Sequence, residues 1–229
     1  MAHIAAEINW IHHPSLTLPA YTYADAARYT RVPAQTIRNW FTGAYSPGHR
    51  MHPVMARPDD RGLSYLQLAD VAFVAAMRQR SIKLAVIRAA YDHVKNTLGV
   101  DYPFVQVEFI TEGTDLLIDA AGNPDIVMSA SRPGQMAWRV AVETYQNQFD
   151  YEGQLFLIWH PRGRLRQVTV DPRIFFGRPT VQGTGIPTEA IASRLMAGED
   201  PASVAEDFNL TPQQVEDARW FEEDIHLAA

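Results

Sequence analysis

The hydrophobic and polar positions change their period twice along the chain. From Tyr21 to Leu98 apolar residues recur every three to four positions, the signature of amphipathic helices. YTYADAARYT (21–30) and AQTIRNWF (34–41) are two short helical pieces separated by RVP. The Gly-, Pro- and His-rich run TGAYSPGHRMHPVMARPDDRG (42–62) is expected to be too irregular for regular secondary structure. Ser64 then suits the N-cap of a long helix, YLQLADVAFVAAMRQR, and KLAVIRAAYDHVKNTL forms another that stops at Gly99.

Between 100 and 170 the period falls to two. VQVEFI and TDLLID flank Glu112-Gly113 and predict a hairpin, and QLFLIWH and LRQVTV flank PRGR and predict a second. MAWRVAVETYQNQF (136–149) between them is helical by pattern. After Asp171 three helical pieces return: TEAIASRLMA, then PASVAEDF with Asp200 as N-cap and Pro201 at its first position, then PQQVEDARWFEE behind Thr211 and Pro212. Their expected core is Ile191, Leu195, Val204, Phe208, Leu210, Val215 and Trp220, with Val181 and Ile186 pinning the approach. The chain is therefore expected to be mostly α with a small α+β middle. Its segments are an extension (1–20), an N-terminal helical domain (21–99), the middle domain (100–170) and a C-terminal three-helix domain (171–229).

Composition narrows the class. The 229 residues are 47% hydrophobic and 10% aromatic, an ordinary composition for a chain that buries a core. No run of eighteen apolar residues is present, and the N-terminus has no basic-then-apolar leader, so a cytoplasmic protein without a membrane span is expected. Cysteine is absent, which removes disulfides, thiolate catalysis and cysteine zinc sites. The net charge of -6 hides a split: residues 1–100 carry 11 Lys/Arg against 6 Asp/Glu, and residues 101–229 carry 9 against 20. One end offers a basic working surface and the other an acidic one.

The basic end fits DNA. Two short helices with a tight turn, and polar residues on the outer face of the second, are what a helix-turn-helix needs. Tyr23, Ala26, Ala27, Val32, Ile37 and Trp40 form the inward set. Gln35, Thr36, Arg38 and Asn39 fall on or near the outward face, where Gln and Asn pair with adenine and Arg with guanine or phosphate. Arg28 and Arg31 flank the turn, where phosphates would pass. V-P-x-Q-T-I-R-N-W followed by LSYLQLADVAFVAAMRQRSIKLAVIRAA resembles the MerR-like winged-helix family over about 75 residues. In that resemblance Thr36 to Trp40 belong to the recognition helix, and Tyr65 to Asp70 open the helix after the wing. Pro33 replaces the family's usual Ser or Thr cap, and the 43–62 loop lacks its compact G-Y-R wing, so the helix carries the expected contact more than the wing does.

Other chemistry is sparse. His12-His13 and His49-x-x-His52 include ligand types for zinc or copper, but they lie in proline-rich loops without a carboxylate on a shared element, and no metal is expected. No nucleophile elbow, zinc-protease motif or Walker loop occurs, and the C-terminal carboxylates come as adjacent pairs that point apart on a helix. No enzyme and no cofactor are expected. FFGRPTVQGTGIPTE (175–189) looks like a phosphate loop, yet Gly183-Thr184-Gly185 lacks a third glycine at the fingerprint spacing, no lysine follows, and Glu189 competes with phosphate at the helix start. Its glycines permit positive φ and its prolines hold an extended path, with Thr188 as the expected cap.

The same stretch carries the more specific resemblance. VTVDPRIFFGRPTVQGTGIPTEAIASRLMAGEDPASVAEDFNLTPQQVEDARWFEE is similar to the small C-terminal domain, domain of unknown function 433, of one class of VapB-type antitoxins. Asp171-Pro172, Gly177, Pro179, Gly183-Thr184, Ile186-Pro187 and Gly198 stand at matching places, and the order of segments resembles the sub-group with a MerR-like N-terminus. The resemblance implies an antitoxin that binds operator DNA and neutralises a VapC-like, PIN-domain ribonuclease. A homodimer is expected because a single helix-turn-helix makes few contacts. The acidic C-terminal domain (171–229) is the first expectation for the toxin contact, since a ribonuclease presents a basic groove. Two rivals remain: a free-standing MerR-like regulator with an effector-sensing middle domain, and a dimeric interaction module that binds no DNA.

Overall fold

The computed structural model describes residues 12–46, 49–56, 58–99, 101–105, 144–152 and 155–227. Apart from Val105, the first expected hairpin lies outside them, as does the helix pattern before Thr144. The described chain is mostly helical with one small four-stranded antiparallel sheet.

Helix starts follow their caps. The one-turn α1 (Pro14–Thr17) is capped by His13, and α2 (Tyr23–Thr30) by Thr22 and Asp25 in a reciprocal capping box. Arg31 adopts a left-handed conformation to end α2, and α3 (Ala34–Thr42) begins behind Pro33 with no side-chain cap. A second capping box, Ser64 with Gln67, opens α4 (Tyr65–Gln79), and Gly99 at φ 67° ends α5 (Leu84–Leu98). The 42–62 run departs from expectation. Ala44–Ser46 (β1) and His49–Met51 (β2) pair antiparallel, Ala44 opposite Met51. Gly43 permits it: a Cβ there would lie 2.5 Å from the Met51 carbonyl oxygen. Arg88 of α5 then clamps the exit, donating to the carbonyls of Pro53 (2.8 Å) and His52.

The sheet has the order β3 (Phe149–Glu152), β4 (Leu155–Trp159), β5 (Val168–Val170), β6 (Pro179–Val181). The expected second hairpin is present as β4 and β5, with Trp159 opposite Val170. Two strands were not legible. The helical pattern over 136–149 stops at Gln146, and Phe149 begins β3. β6 arises inside the Gly/Pro stretch, at an edge, where Pro179 has no ladder hydrogen to lose.

The largest buried cluster runs from Leu16 to Ile225 around α4, whose residues from Tyr65 to Ala75 are buried on every face. Phe73 stacks on Phe104 at 3.9 Å and meets Tyr145 edge-on at 5.0 Å. A second cluster joins Val181, Ile191, Val204, Ala205, Leu210, Val215 and Ala218 of α6 (Thr188–Met196), α7 (Pro201–Phe208), α8 (Pro212–Leu227) and the segments beside them. Trp220, expected there, packs on the main cluster instead. The reason is that α8 runs past the three-helix unit and carries Phe221 and Ile225 into the main core.

Asp70 is a carboxylate inside the apolar helix α4. It is buried and its Oδ1 has no hydrogen-bond partner. Burial, only partly offset by the Phe104 backbone N–H and by Lys95, pushes its pKa well above the usual carboxylate range. The folded state therefore holds the proton more tightly than the unfolded chain, so stability falls as pH rises from about 4 through the folded pKa. Asp70→Asn removes that ionisation. It is expected to stabilise the fold by on the order of 1–3 kcal/mol at pH 7, and the gain should fade as denaturation curves are taken towards pH 4.

Candidate functional site

α2 and α3 meet across Arg31-Val32-Pro33. Ala26, Ala27, Ile37 and Trp40 are buried between and beneath them, with Tyr23 and Val32 partly buried, as the periodicity requires. α3 presents an exposed polar face. Gln35 Nε2 donates to Asn39 Oδ1 at 2.9 Å, one helical turn apart, and Thr36 is half-buried beside them. The Arg38 guanidinium lies 4.7 Å from the Tyr23 ring centroid, a cation–π contact that orients it along the helix surface. Arg38, Thr22, Thr42 and Arg61 line a shallow groove between the α2 start and the 58–62 loop, where Arg61 pairs with Asp59.

Arg28 and Arg31 are placed differently. Both turn towards α8. The Arg31 guanidinium pairs with Asp224, its Nε 3.1 Å from Oδ2, and Arg28 lies 3.8 Å from Glu222 and 3.9 Å from Asp25. The partner that sequence reading missed is Arg162, in the turn between β4 and β5. Its Nε donates to Asp224 Oδ2 at 2.7 Å and its Nη1 to the carbonyls of Tyr29 (2.7 Å) and Pro161 (2.9 Å). Its side chain is 8% exposed and rests 5.3 Å from the Phe221 ring centroid. Burial, and then the neighbouring Arg31 charge, lower its pKa to about 10, so it remains charged at neutral pH.

Beside this latch, Thr188 does not cap α6. Pro187 holds the cap position, and the Thr188 hydroxyl donates to the buried Glu222 carboxylate. Asp217 ties the same helix to the sheet. It accepts from Arg166 Nη1 at 2.8 Å, Gln167 N at 3.0 Å and Gln213 Nε2 at 3.0 Å. Burial raises its pKa, but these donors outweigh it and the carboxyl sits below the usual range. α8 therefore uses acidic residues to dock on α2 and the β4–β5 turn. Its exposed carboxylates include Glu216 and Glu223, which pair with Arg219.

The Phe175–Glu189 stretch sets a backbone path. Gly177, Gly183 and Gly185 have φ of 72°, 77° and 73°. A Cβ on Gly177 would lie 2.0 Å from the Tyr21 hydroxyl, which donates to the Gly177 carbonyl at 2.9 Å. Phe175 and Phe176 are also left-handed, at φ 46° and 56°, a conformation that costs roughly 1–2 kcal/mol per non-glycine residue. Among the described residues no three His, Asp or Glu side chains converge on a metal-sized site, and no helix is long and apolar enough to cross a membrane.

The family described as "Protein of unknown function (DUF433)" matches residues 168–221. A Mycobacterium tuberculosis (strain H37Rv) protein named "Putative antitoxin VapB45" is 28% identical over 222 residues, which span 88% of this chain and 92% of that protein. "Uncharacterized protein Rv2308" of the same organism is 23% identical over 221 residues, spanning 91% and 92%. The X-ray crystal structure of Rv2018 from Mycobacterium tuberculosis shares the fold, with a TM-score of 0.67 at 24% identity over 88% of this chain and 97% of that one.

Two substitutions separate the weights within the latch. Asp224→Ala leaves the buried Arg162 guanidinium unpaired and is expected to cost about 3 kcal/mol in urea denaturation. Arg31→Ala removes a cation that is 47% exposed and is expected to cost less than about 1 kcal/mol.

Proposed function

We propose that this chain is the antitoxin of a type II toxin–antitoxin pair, a cytoplasmic binding protein without catalysis of its own. It neutralises a cognate VapC-like PIN-domain ribonuclease and binds operator DNA to regulate its own transcription. The observation that carries the proposal is the similarity to the protein named as an antitoxin, which extends over nearly the whole of both chains. The match of residues 168–221 to the family of unknown function (DUF433) agrees with the C-terminal resemblance on which the reading also rests.

The DNA-binding part rests on the exposed face of α3. The order α2, tight turn, α3, β1–β2 hairpin supports a MerR-like winged helix-turn-helix, with Gln35, Thr36, Arg38 and Asn39 facing the bases and the hairpin as a short wing. Arg28 and Arg31 reach phosphate only by giving up Glu222 and Asp224. A single such motif makes few contacts, so a homodimer on paired half-sites follows.

A second reading has one observation in its favour. A cleft of about 570 Å³ opens between α2, α4 and the β4–β5 turn, lined by Tyr29, Arg31, Trp159 and Arg164 among others. That is the size of small-molecule sites, roughly 300–1,000 Å³, and would suit a free-standing regulator that senses an effector. Such a protein changes its DNA affinity with the effector and needs no partner. A dimeric module without DNA function would bind no DNA even at low salt.

Two measurements test the proposal. Co-expressed with the product of the adjacent reading frame, the full chain is expected to co-purify with a nuclease and abolish its RNA cleavage; an active, unbound neighbour refutes the antitoxin reading. In gel-shift titration on the upstream DNA, Arg38→Ala is expected to weaken binding by about 1–3 kcal/mol if Arg38 reads a base. An unchanged titration removes α3 from the interface.

A further inference from the structure

We propose that Ile174, Phe175 and Phe176 form a preset apolar knuckle through which the chain grips its protein partner, seated in an apolar socket rimmed by carboxylates. This rests on the antitoxin reading, in which a protein partner exists, and it assigns that partner a place on the surface.

The conformation is the first argument. Among the described residues, five non-glycine residues have positive φ. Arg31 and Asn209 end helices α2 and α7, and Ser81 lies in the turn directly after α4. Phe175 and Phe176 end no α-helix, and they are consecutive and bulky, the type least suited to that region. Burial does not compensate them: Phe175 is 44% and Phe176 85% exposed, with Ile174 exposed beside them. Strain of this kind persists only where the surroundings over-determine it.

The surroundings do so. Ile174 N donates to Asp171 O at 3.0 Å, Gly177 N to Ile174 O at 2.9 Å and Arg178 N to Phe175 O at 3.1 Å. Arg173 grips both Asp171 carboxylate oxygens, and the Tyr21 hydroxyl fixes Gly177 from the far side. A knuckle held rigidly outward loses little freedom when it is bound, which is the property of an anchor residue in a protein interface.

Charge identifies the socket. Residues 171–229 hold four arginines and no lysine against eleven carboxylates. Arg194 and Arg219 are each held by two carboxylates of their own segment. Arg173 is likewise held by Asp171, and Arg178, beside the knuckle, is 62% exposed with Glu189 only at 3.9 Å. The knuckle is thus an apolar point beside one exposed guanidinium on an acidic segment. A polyanion such as single-stranded nucleic acid is repelled by that segment at long range, whereas a partner protein needs only local carboxylates around an apolar socket.

Phe176→Gly separates binding from folding, because glycine removes the ring and relieves the left-handed strain together. Titrated as the full chain against the purified product of the adjacent reading frame, it is expected to raise Kd at least tenfold while its Tm equals or exceeds the parent's. Arg178→Glu should weaken the same complex, and its effect should shrink with added salt. Equal Kd for Phe176→Gly and parent, or a fall in Tm, overturns the knuckle alone. If the parent chain does not bind the neighbour, the antitoxin reading and the knuckle both fall. A Phe176-dependent affinity for oligothymidylate, or a Phe176-dependent dimer of the chain by sedimentation equilibrium, would reassign the knuckle to nucleic acid or to a second copy and overturn the proposal.

Discussion

The arrangement of the molecule depends on one carboxylate between two guanidinium groups. Asp224 of α8 receives Arg31 from the end of α2 and Arg162 from the β4–β5 turn, and Arg162 also satisfies the Tyr29 carbonyl near the α2 C-terminus. Taking a guanidinium out of water costs several kcal/mol, and only a close carboxylate with further acceptors offsets it. The fold meets this condition by bringing three distant segments to one point. Phe221, about one turn before it, and Ile225, the next residue, then fall into the main core, and α3 is left facing solvent.

The charge split of the sequence acquires a second meaning from this contact. The basic N-terminal segment and the acidic C-terminal one read as surfaces for two different partners. In the structure part of each is used against the other, through Arg28 with Glu222 and Arg31 with Asp224. Among the described residues, the face of α3, exposed carboxylates such as Glu216 and Glu223, and the Ile174–Phe176 turn remain open to outside contact.

What could be read from the sequence was local. Ser64, Asp200 and Thr211 cap the helices they precede, and Gly99 ends α5, because each device works within four residues of itself. The inward and outward residues of α2 and α3 were legible for the same reason. The β1–β2 hairpin was not, because it is held by Arg88, thirty-five residues beyond Pro53. β6 was hidden by its composition, since glycine and proline signal turns even where a short edge strand lies between them. The destinations of Arg28, Arg31 and Thr188 depend on α8, and no local period reports a contact across that separation. Phe175 and Phe176 carried no such local signal, because their exposure and left-handed geometry appear only in three dimensions.

The hydroxyl of Tyr21 against Gly177 has a consequence for descent. Residue 177 is restricted twice, by φ 72° and by the oxygen that would lie 2.0 Å from any Cβ. Tyr21→Phe would ease the second restriction, leaving the ring Cζ 3.1 Å from such a Cβ, and leave the first untouched. The two positions, 156 residues apart, are therefore unequal partners. Among diverging copies of this gene the tyrosine should be lost first, and the glycine should outlast it.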